Sequence, residues 1–290
     1  MYPARIDNYH RATSVADALS ALKSHGEGAV FIAGGQSLMQ AVKSRLVQPT
    51  ALVDLQAVED LKGVSHGDRV TIGAMTRYVD LAADTTLGPA YGAITDAASH
   101  VGDRQVRNRG TIGGSICWNY IAACMPCVAL GLGAEMHLVS PHGERRLSAD
   151  EFLGEPLETA REETEILKAV ELPKASCGAG SAYKKWSLLT DGLPVVGVCV
   201  SVSVGGDGAC TSARVAFGGL STGPTRSAQA EAKLVGISAG DAAGIAAAMG
   251  AAADELETQG DLWADPDYRK QLIRSLGSAV ATTALQRASA

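Results

Sequence analysis

A chain of 290 residues exceeds the usual size of a single hydrophobic core, so two domains are expected. Its 46% apolar content, with only 4% aromatics and 33 glycines, describes a globular protein with a tight interior of Ala, Gly and Val. A formal charge of −6 lacks the excess of Lys and Arg on which phosphate-backbone binding depends, which excludes nucleic acid as a partner.

From the N-terminus, Met1-Tyr2-Pro3-Ala4-Arg5-Ile6-Asp7 carries no apolar core before a cleavage site, and no uncharged stretch reaches the roughly 18 to 20 residues that span a bilayer. A cytoplasmic address without a membrane span is the expectation. Residues 13 to 25 are predicted helical, with Thr13 or Ser14 as N-cap, Val15, Ala18, Leu19 and Leu22 on one face, and Gly26 as the stop. Ala29 to Ala33 is a short strand that runs into Gly34-Gly35, and a helix follows from Ser37 to Leu46 until Pro49 blocks it. Ala51 to Leu55 and Arg69 to Ala74 are further strands. Between Tyr78 and His100 two helical stretches flank the turn Thr85-Thr86-Leu87-Gly88-Pro89. After an apolar, Gly-spaced run from Cys127 to Ala134, Glu135 to Val139 is a strand that turns at Pro141-His142-Gly143-Glu144.

Composition turns small around Pro173 to Ser181, which suits a linker. Beyond it, Val195 to Val204 and Cys210 to Phe217 form a hairpin about Gly205-Gly206-Asp207-Gly208, and Ala-rich helices follow from Ser227, with Ser238 and Asp267 as start signals. The fold class is therefore α+β: a domain over 1–174 made of two α/β subdomains that divide near 55–60, then a small domain of antiparallel sheet and helices over 178–290.

Several chemistries are missing. There is no GxxxxGK followed by Ser or Thr, no GxGxxG after a strand, no HExxH and no GxSxG. Six cysteines are too few for a disulfide scaffold. Cys177, Cys199 and Cys210 read as small buried residues. Cys117, Cys124 and Cys127 leave three readings open: structural thiols, a metal or redox site that lacks its fourth ligand, or residues lining a cofactor.

Two glycine segments remain. Ile32-Ala33-Gly34-Gly35-Gln36-Ser37-Leu38 and Arg109-Gly110-Thr111-Ile112-Gly113-Gly114-Ser115 each join paired glycines to a hydroxyl residue. They are either tight bends or a cradle in which the N–H groups of Gly34, Gly35, Gly113 and Gly114, helped by Ser37, Thr111 and Ser115, face two phosphates. Residue chemistry alone leaves both readings standing.

These segments, together with Leu52-Val53-Asp54-Leu55, Thr71-Ile72-Gly73-Ala74-Met75-Thr76, Tyr183-Lys184-Lys185, Phe217-Gly218-Gly219-Leu220 and Tyr268-Arg269, resemble the FAD-binding medium subunits of molybdenum hydroxylases over nearly the whole chain. That group includes carbon monoxide dehydrogenase and the flavin domain of xanthine dehydrogenase. The resemblance implies FAD on this chain, held by Ile32, Ala33, Gly34, Gly35, Gln36, Ser37 and Leu38 and by Thr111, Gly113, Gly114 and Ser115, with Leu167 and Lys184 beside the ring. It further implies a large molybdopterin subunit, a small subunit with [2Fe-2S] clusters, and NAD, a quinone or oxygen as external acceptor. It implies a three-stranded C-terminal sheet.

The chain also departs from the pattern. Cys124 stands where the family usually has an Asp that contacts FAD, and Trp118-Asn119-Tyr120-Ile121 replaces a His-Ala-Asp-Pro stretch. Leu193 stands where an aromatic residue often stacks on the flavin. Loss of the carboxylate costs about 1 to 2 kcal/mol of cofactor binding where nothing substitutes. The alternatives are a flavin-poor scaffold or ligand-binding homologue, or a metal or thiol site at Cys117–Cys127.

Overall fold

The computed structural model describes residues 4–220 and 222–290 and arranges their strands in three sheets. The first is parallel. β1 (Asn8–Arg11), α1 (Val15–His25), β2 (Ala29–Ile32), α2 (Leu38–Lys43) and β3 (Ala51–Asp54) place β3 between β1 and β2. Ser14 caps α1 by accepting from the Asp17 N–H, and Gly26, at φ 68°, ends it. Ala18, Leu19 and Ala21 then pack on Val53 and Leu55.

The second sheet is antiparallel in the order β4-β5-β8-β6-β7, from β4 (Val64–His66), β5 (Val70–Gly73), β6 (Glu135–Ser140), β7 (Gly143–Ser148) and β8 (Ile166–Leu172). Between β5 and β6 the chain makes five α-helices: α3 (Tyr78–Ala83), α4 (Gly92–His100), α5 (Arg104–Arg109), α6 (Ile112–Trp118) and α7 (Cys124–Gly131). Ile72, Met136, Leu138, Leu167 and Val170 bury against Leu81, Ile94, Ile116 and Met125 in these helices. The opposite face of this sheet carries polar contacts instead, the ion pairs of Arg69 with Glu135 at 2.6 Å and Arg146 with Glu171 at 2.9 Å and a hydrogen bond between His137 and Glu144 at 2.7 Å. That polar–apolar alternation is the signature of a sheet with one face on a core. α7 is buried on every side, so its sequence shows apolar residues without a helical stripe. A short helix, α8 (Ala149–Phe152), starts at a capping box formed by Ser148 and Glu151.

The third sheet has the antiparallel order β12-β11-β10-β9, with β9 (Ala179–Trp186), β10 (Val196–Val204), β11 (Cys210–Gly218) and the two-residue β12 (Thr225–Arg226). The sheet therefore has three long strands and a stub, one strand more than the resemblance implies. Val196, Val198, Val200 and Val202 face α9 (Ala228–Leu234), α10 (Ala242–Glu255) and α11 (Pro266–Ala288), where Ile245, Met249, Ile273 and Val280 complete a core. The other face, with Tyr183, Cys199 and Ala216, joins the core around α7. Two expected helix starts move. α10 is capped by Asp241 rather than Ser238, and α11 by Asp265 rather than Asp267, with Pro266 in the first turn, where its missing N–H costs nothing.

A bidentate ion pair locks the third sheet to α4. Arg287 of α11 donates to both oxygens of Asp96, at 2.7 and 2.9 Å, and to the Ser181 carbonyl, while Asp96 also accepts from the Tyr183 N–H. Among the described residues no helix is long and apolar enough to cross a membrane. Replacing Arg287 with Met leaves Asp96 partly buried with one donor, so the Arg287→Met variant is expected to lose about 2 kcal/mol of stability, read as a lower denaturant midpoint.

Candidate cofactor site

The two glycine segments touch. A Cβ built on Gly34 would lie 2.0 Å from the Arg109 carbonyl oxygen and 2.9 Å from Gly110 Cα, and one built on Gly114 would lie 3.4 Å from Ala33 Cβ. Only glycine allows this approach of strand-end loop to helix start. Gly35 adopts φ 74°, the left-handed region that turns the chain from β2 into α2.

The hydrogen-bond inventories of the segments differ. In the first, the N–H groups of Gly34, Gly35, Gln36, Ser37 and Leu38 meet no acceptor among the described residues, and the half-buried loop presents them as a row. Ser37 makes no side-chain cap bond, so its hydroxyl is uncommitted as well. The second segment is a helix start rather than a bend. Thr111 caps α6 by accepting from Gly114 N–H at 3.1 Å, Ile112 N–H donates to Thr76, Gly113 N–H to the Ala74 carbonyl at 2.9 Å, and Ser115 N–H to Thr111. The expectation that Gly113 and Gly114 offer free N–H groups is thereby corrected. Their reason is packing: a Cβ on Gly113 would fall 2.5 Å from Ala74 Cβ. Tyr78, buried with its phenol beside Ser115 and its pKa raised by desolvation, closes on Gly110 from the other side.

The remaining expected site residues scatter. Ile32 ends β2, Ala33 joins it to the loop, and Gly34 to Leu38 form the row of donors. Leu167, 4% exposed in β8, has the position of a core leucine. Lys184 is exposed on the face of β9 shared with Ala182 and Trp186, which pack on the helical layer, and so lies opposite Tyr183. Its neighbour Lys185, half-buried, donates its Nζ to the Gly192 carbonyl. Cys124 opens α7, buried beside Tyr183, and burial pushes its thiol up against the opposing pull of the Lys185 charge. Sequence reasoning missed Ala74, Tyr78 and Lys185. Lys185 was readable only as one of a pair, and no local pattern says which lysine faces inward.

The cysteine run does not gather. Cys127 donates its thiol to the Ala216 carbonyl at 3.5 Å, and Cys117 sits in α6 with its thiol pushed up to about 11 by burial. Between them Asn119, at φ 42°, ends α6, and its amide donates to the carbonyls of Gly154, Glu155 and Glu158. Among the described residues no group of three or more His, Cys, Asp or Glu side chains is placed to hold a metal ion. The metal reading of Cys117–Cys127 therefore has no geometric support.

A sequence profile of the FAD-binding domain in molybdopterin dehydrogenase matches residues 4–175, and one of the CO dehydrogenase flavoprotein C-terminal domain matches residues 181–284. The chain belongs to this flavoprotein family. It is 33% identical to 6-hydroxypseudooxynicotine dehydrogenase complex subunit alpha of Paenarthrobacter nicotinovorans, across 99% of this chain and 97% of that protein. It is 32% identical to the carbon monoxide dehydrogenase medium chain of Hydrogenophaga pseudoflava, across 93% of each. Among solved structures, it superposes on the carbon monoxide dehydrogenase of Hydrogenophaga pseudoflava that lacks the Mo-pyranopterin moiety with a TM-score of 0.91 at 31% identity, covering 99% of each chain. The same score, at 30% identity and full coverage of both chains, relates it to quinoline 2-oxidoreductase of Pseudomonas putida 86.

Two outcomes follow for this flavoprotein. Gly34→Ala drives a methyl into the Arg109 carbonyl, separates the segments, and is expected to cost about 1 to 3 kcal/mol of stability together with FAD retention, measured by denaturant titration and flavin content. Alkylation at pH 8 is expected to label exposed Cys177 quickly and the buried Cys124, Cys127 and Cys199 only after denaturation, as mass spectrometry of timed samples would register.

Proposed function

We propose that this chain relays electrons in a heteromeric molybdenum hydroxylase. Electrons leave the substrate at a molybdopterin centre on a large partner, cross [2Fe-2S] clusters on a small partner, and reach FAD on this chain before leaving to NAD, a quinone or oxygen. The cofactor supplies the redox chemistry; the protein places it, excludes solvent and sets its electrostatics.

The observation that carries this reading is the row of five unpaired backbone donors from Gly34 to Leu38, held against the α6 start by a contact that only glycine permits. A diphosphate is a ligand whose oxygens match several N–H groups in a row. In this reading Ile32 and Ala33 aim the loop, Gly34, Gly35, Gln36, Ser37 and Leu38 hold phosphate oxygens, and Thr111, Gly113, Gly114 and Ser115 build the wall behind them. The division into 1–174, split near 55–60, and 178–290 then encloses the cofactor between the two sheets of the first part and closes it with the second. Six free thiols suit a cytoplasmic complex.

Purified protein should be yellow and release FAD on denaturation, and should bring molybdenum- and iron-containing chains with it from its host. A colourless preparation that ignores added FAD would favour the scaffold reading instead. A Cβ on Gly114 meets Thr111 Oγ1 at 2.8 Å, so Gly114→Val displaces the cap and pushes Ala33. That variant is expected to fold and to lose its flavin, as the ratio of flavin to protein absorbance would show.

A further inference from the structure

A groove of about 610 Å³ follows the seam where α1 of the first sheet meets the β6–β7 hairpin and β8 of the second, and no residue of 32–38 or 109–115 lines it. Its size falls in the range of about 300 to 1,000 Å³ that small-molecule sites occupy. Val15 and Leu19, one turn apart on α1, supply apolar surface from one side, and Val139 and Pro141 supply it from the other. Val139 and Lys168 each follow a residue that packs on the helices, Leu138 and Leu167. Pleating therefore turns them to the opposite face of the second sheet, where the groove lies.

Four charged side chains line the groove, two of each sign. Lys168 donates to Glu144 at 3.3 Å, and Glu144 also bonds the His137 ring at 2.7 Å, so this pair is satisfied. Lys23, in the last turn of α1, and Asp60, in the segment between β3 and β4, have no hydrogen bond or ion pair among the described residues. The exposed Ser20 hydroxyl beside them is uncommitted too. Glu59, next to Asp60, is paired with Lys62 at 2.7 Å and takes no part. One ammonium and one carboxylate are thus left open over an apolar surface. An anion entering alone meets Asp60, a cation alone meets Lys23, and a neutral apolar molecule covers both charges without pairing either.

We propose that this groove binds a small zwitterion with an apolar body, its carboxylate on Lys23 and its ammonium on Asp60. The site is separate from the proposed cofactor site and does not depend on the FAD reading. Its occupant touches both sheets of the first part and so favours their docked arrangement by mass action.

The test is titration calorimetry of the protein as purified from its host, with any accompanying chains, against four probes that share one indole body: L-tryptophan, tryptamine, indole-3-propionate and 3-methylindole. Tryptophan is expected to bind saturably at or below about 1 mM, within reach of a ligand of its size. It should bind about fivefold more tightly than tryptamine or indole-3-propionate, the worth of one exposed charge contact. Lys23→Met should remove its advantage over tryptamine and keep its advantage over indole-3-propionate; Asp60→Asn should do the reverse. Ser20→Trp, on the exposed side of α1, lays a ring over the groove and should abolish binding while helicity stays at the wild-type value. The proposal is overturned if tryptophan shows no saturable binding, if the four probes bind alike, if Lys23→Met and Asp60→Asn leave their order unchanged, or if tryptophan drives FAD off the protein, which would put the probe in the cofactor site.

Discussion

Backbone packed on backbone at Gly34 and Arg109–Gly110 joins the parallel sheet to the helices of the antiparallel one, and the geometry of the site follows from that join. The contact continues through neighbouring glycines. A Cβ on Gly113 would strike Ala74, and one on Gly73 would lie 2.4 Å from the Leu61 carbonyl, so β5, α6 and the first loop stack without intervening side chains. Side chains can change rotamer, whereas stacked backbone has no such freedom. The donors of residues 34–38 are consequently fixed before any ligand arrives, and a ligand that meets fixed donors spends little on ordering them.

Two segments of nearly the same composition thus do different work, and the order of residues within them explains why. In the second, Thr111 precedes the glycines and its side chain can reach the Gly114 N–H, which turns the segment into a capped helix. In the first, Ser37 follows the glycines, and Gly35 must adopt a left-handed conformation to turn the chain. Capping consumes donors; the uncapped turn leaves them. The first loop therefore keeps its donors free while the second serves as frame, a division visible in the sequence only once cap position is weighed beside glycine count.

Elements with one face on a core were legible, because burial on one side writes a period into the sequence: α1, the β6–β7 hairpin and the β10–β11 hairpin all declare themselves. Elements buried on both sides were not. β9 begins in Gly178-Ala179-Gly180-Ser181, a stretch whose small residues suggest flexibility. Their actual cause is proximity, since a Cβ on Gly180 would lie 2.4 Å from the Ala284 carbonyl of α11. The inward lysine shares this origin of error, for pleat direction in β9 is set by packing against α4 and α11 and not by any neighbour in sequence.

The buried guanidinium of Arg269 raises a separate question of specification. Arg269, 4% exposed, donates to the Val195 and Gly219 carbonyls and pairs with Asp261, gathering the β9–β10 connection, the end of β11 and the segment before α11. Gly219 in turn donates to the Ile121 carbonyl, in the stretch that leads into Cys124. None of these carbonyls belongs to a regular ladder, so each needs a donor from elsewhere, and one guanidinium with its forked N–H groups serves two of them at once. An apolar side chain of equal volume would fill the space and leave those carbonyls unpaired in a buried junction. A buried charge is a poor source of net stability but an effective way to fix which segments meet. Lys185 donates to the Gly192 carbonyl in the connection that Arg269 gathers, so the position of its charge depends on the docking of the C-terminal sheet as well as on β9.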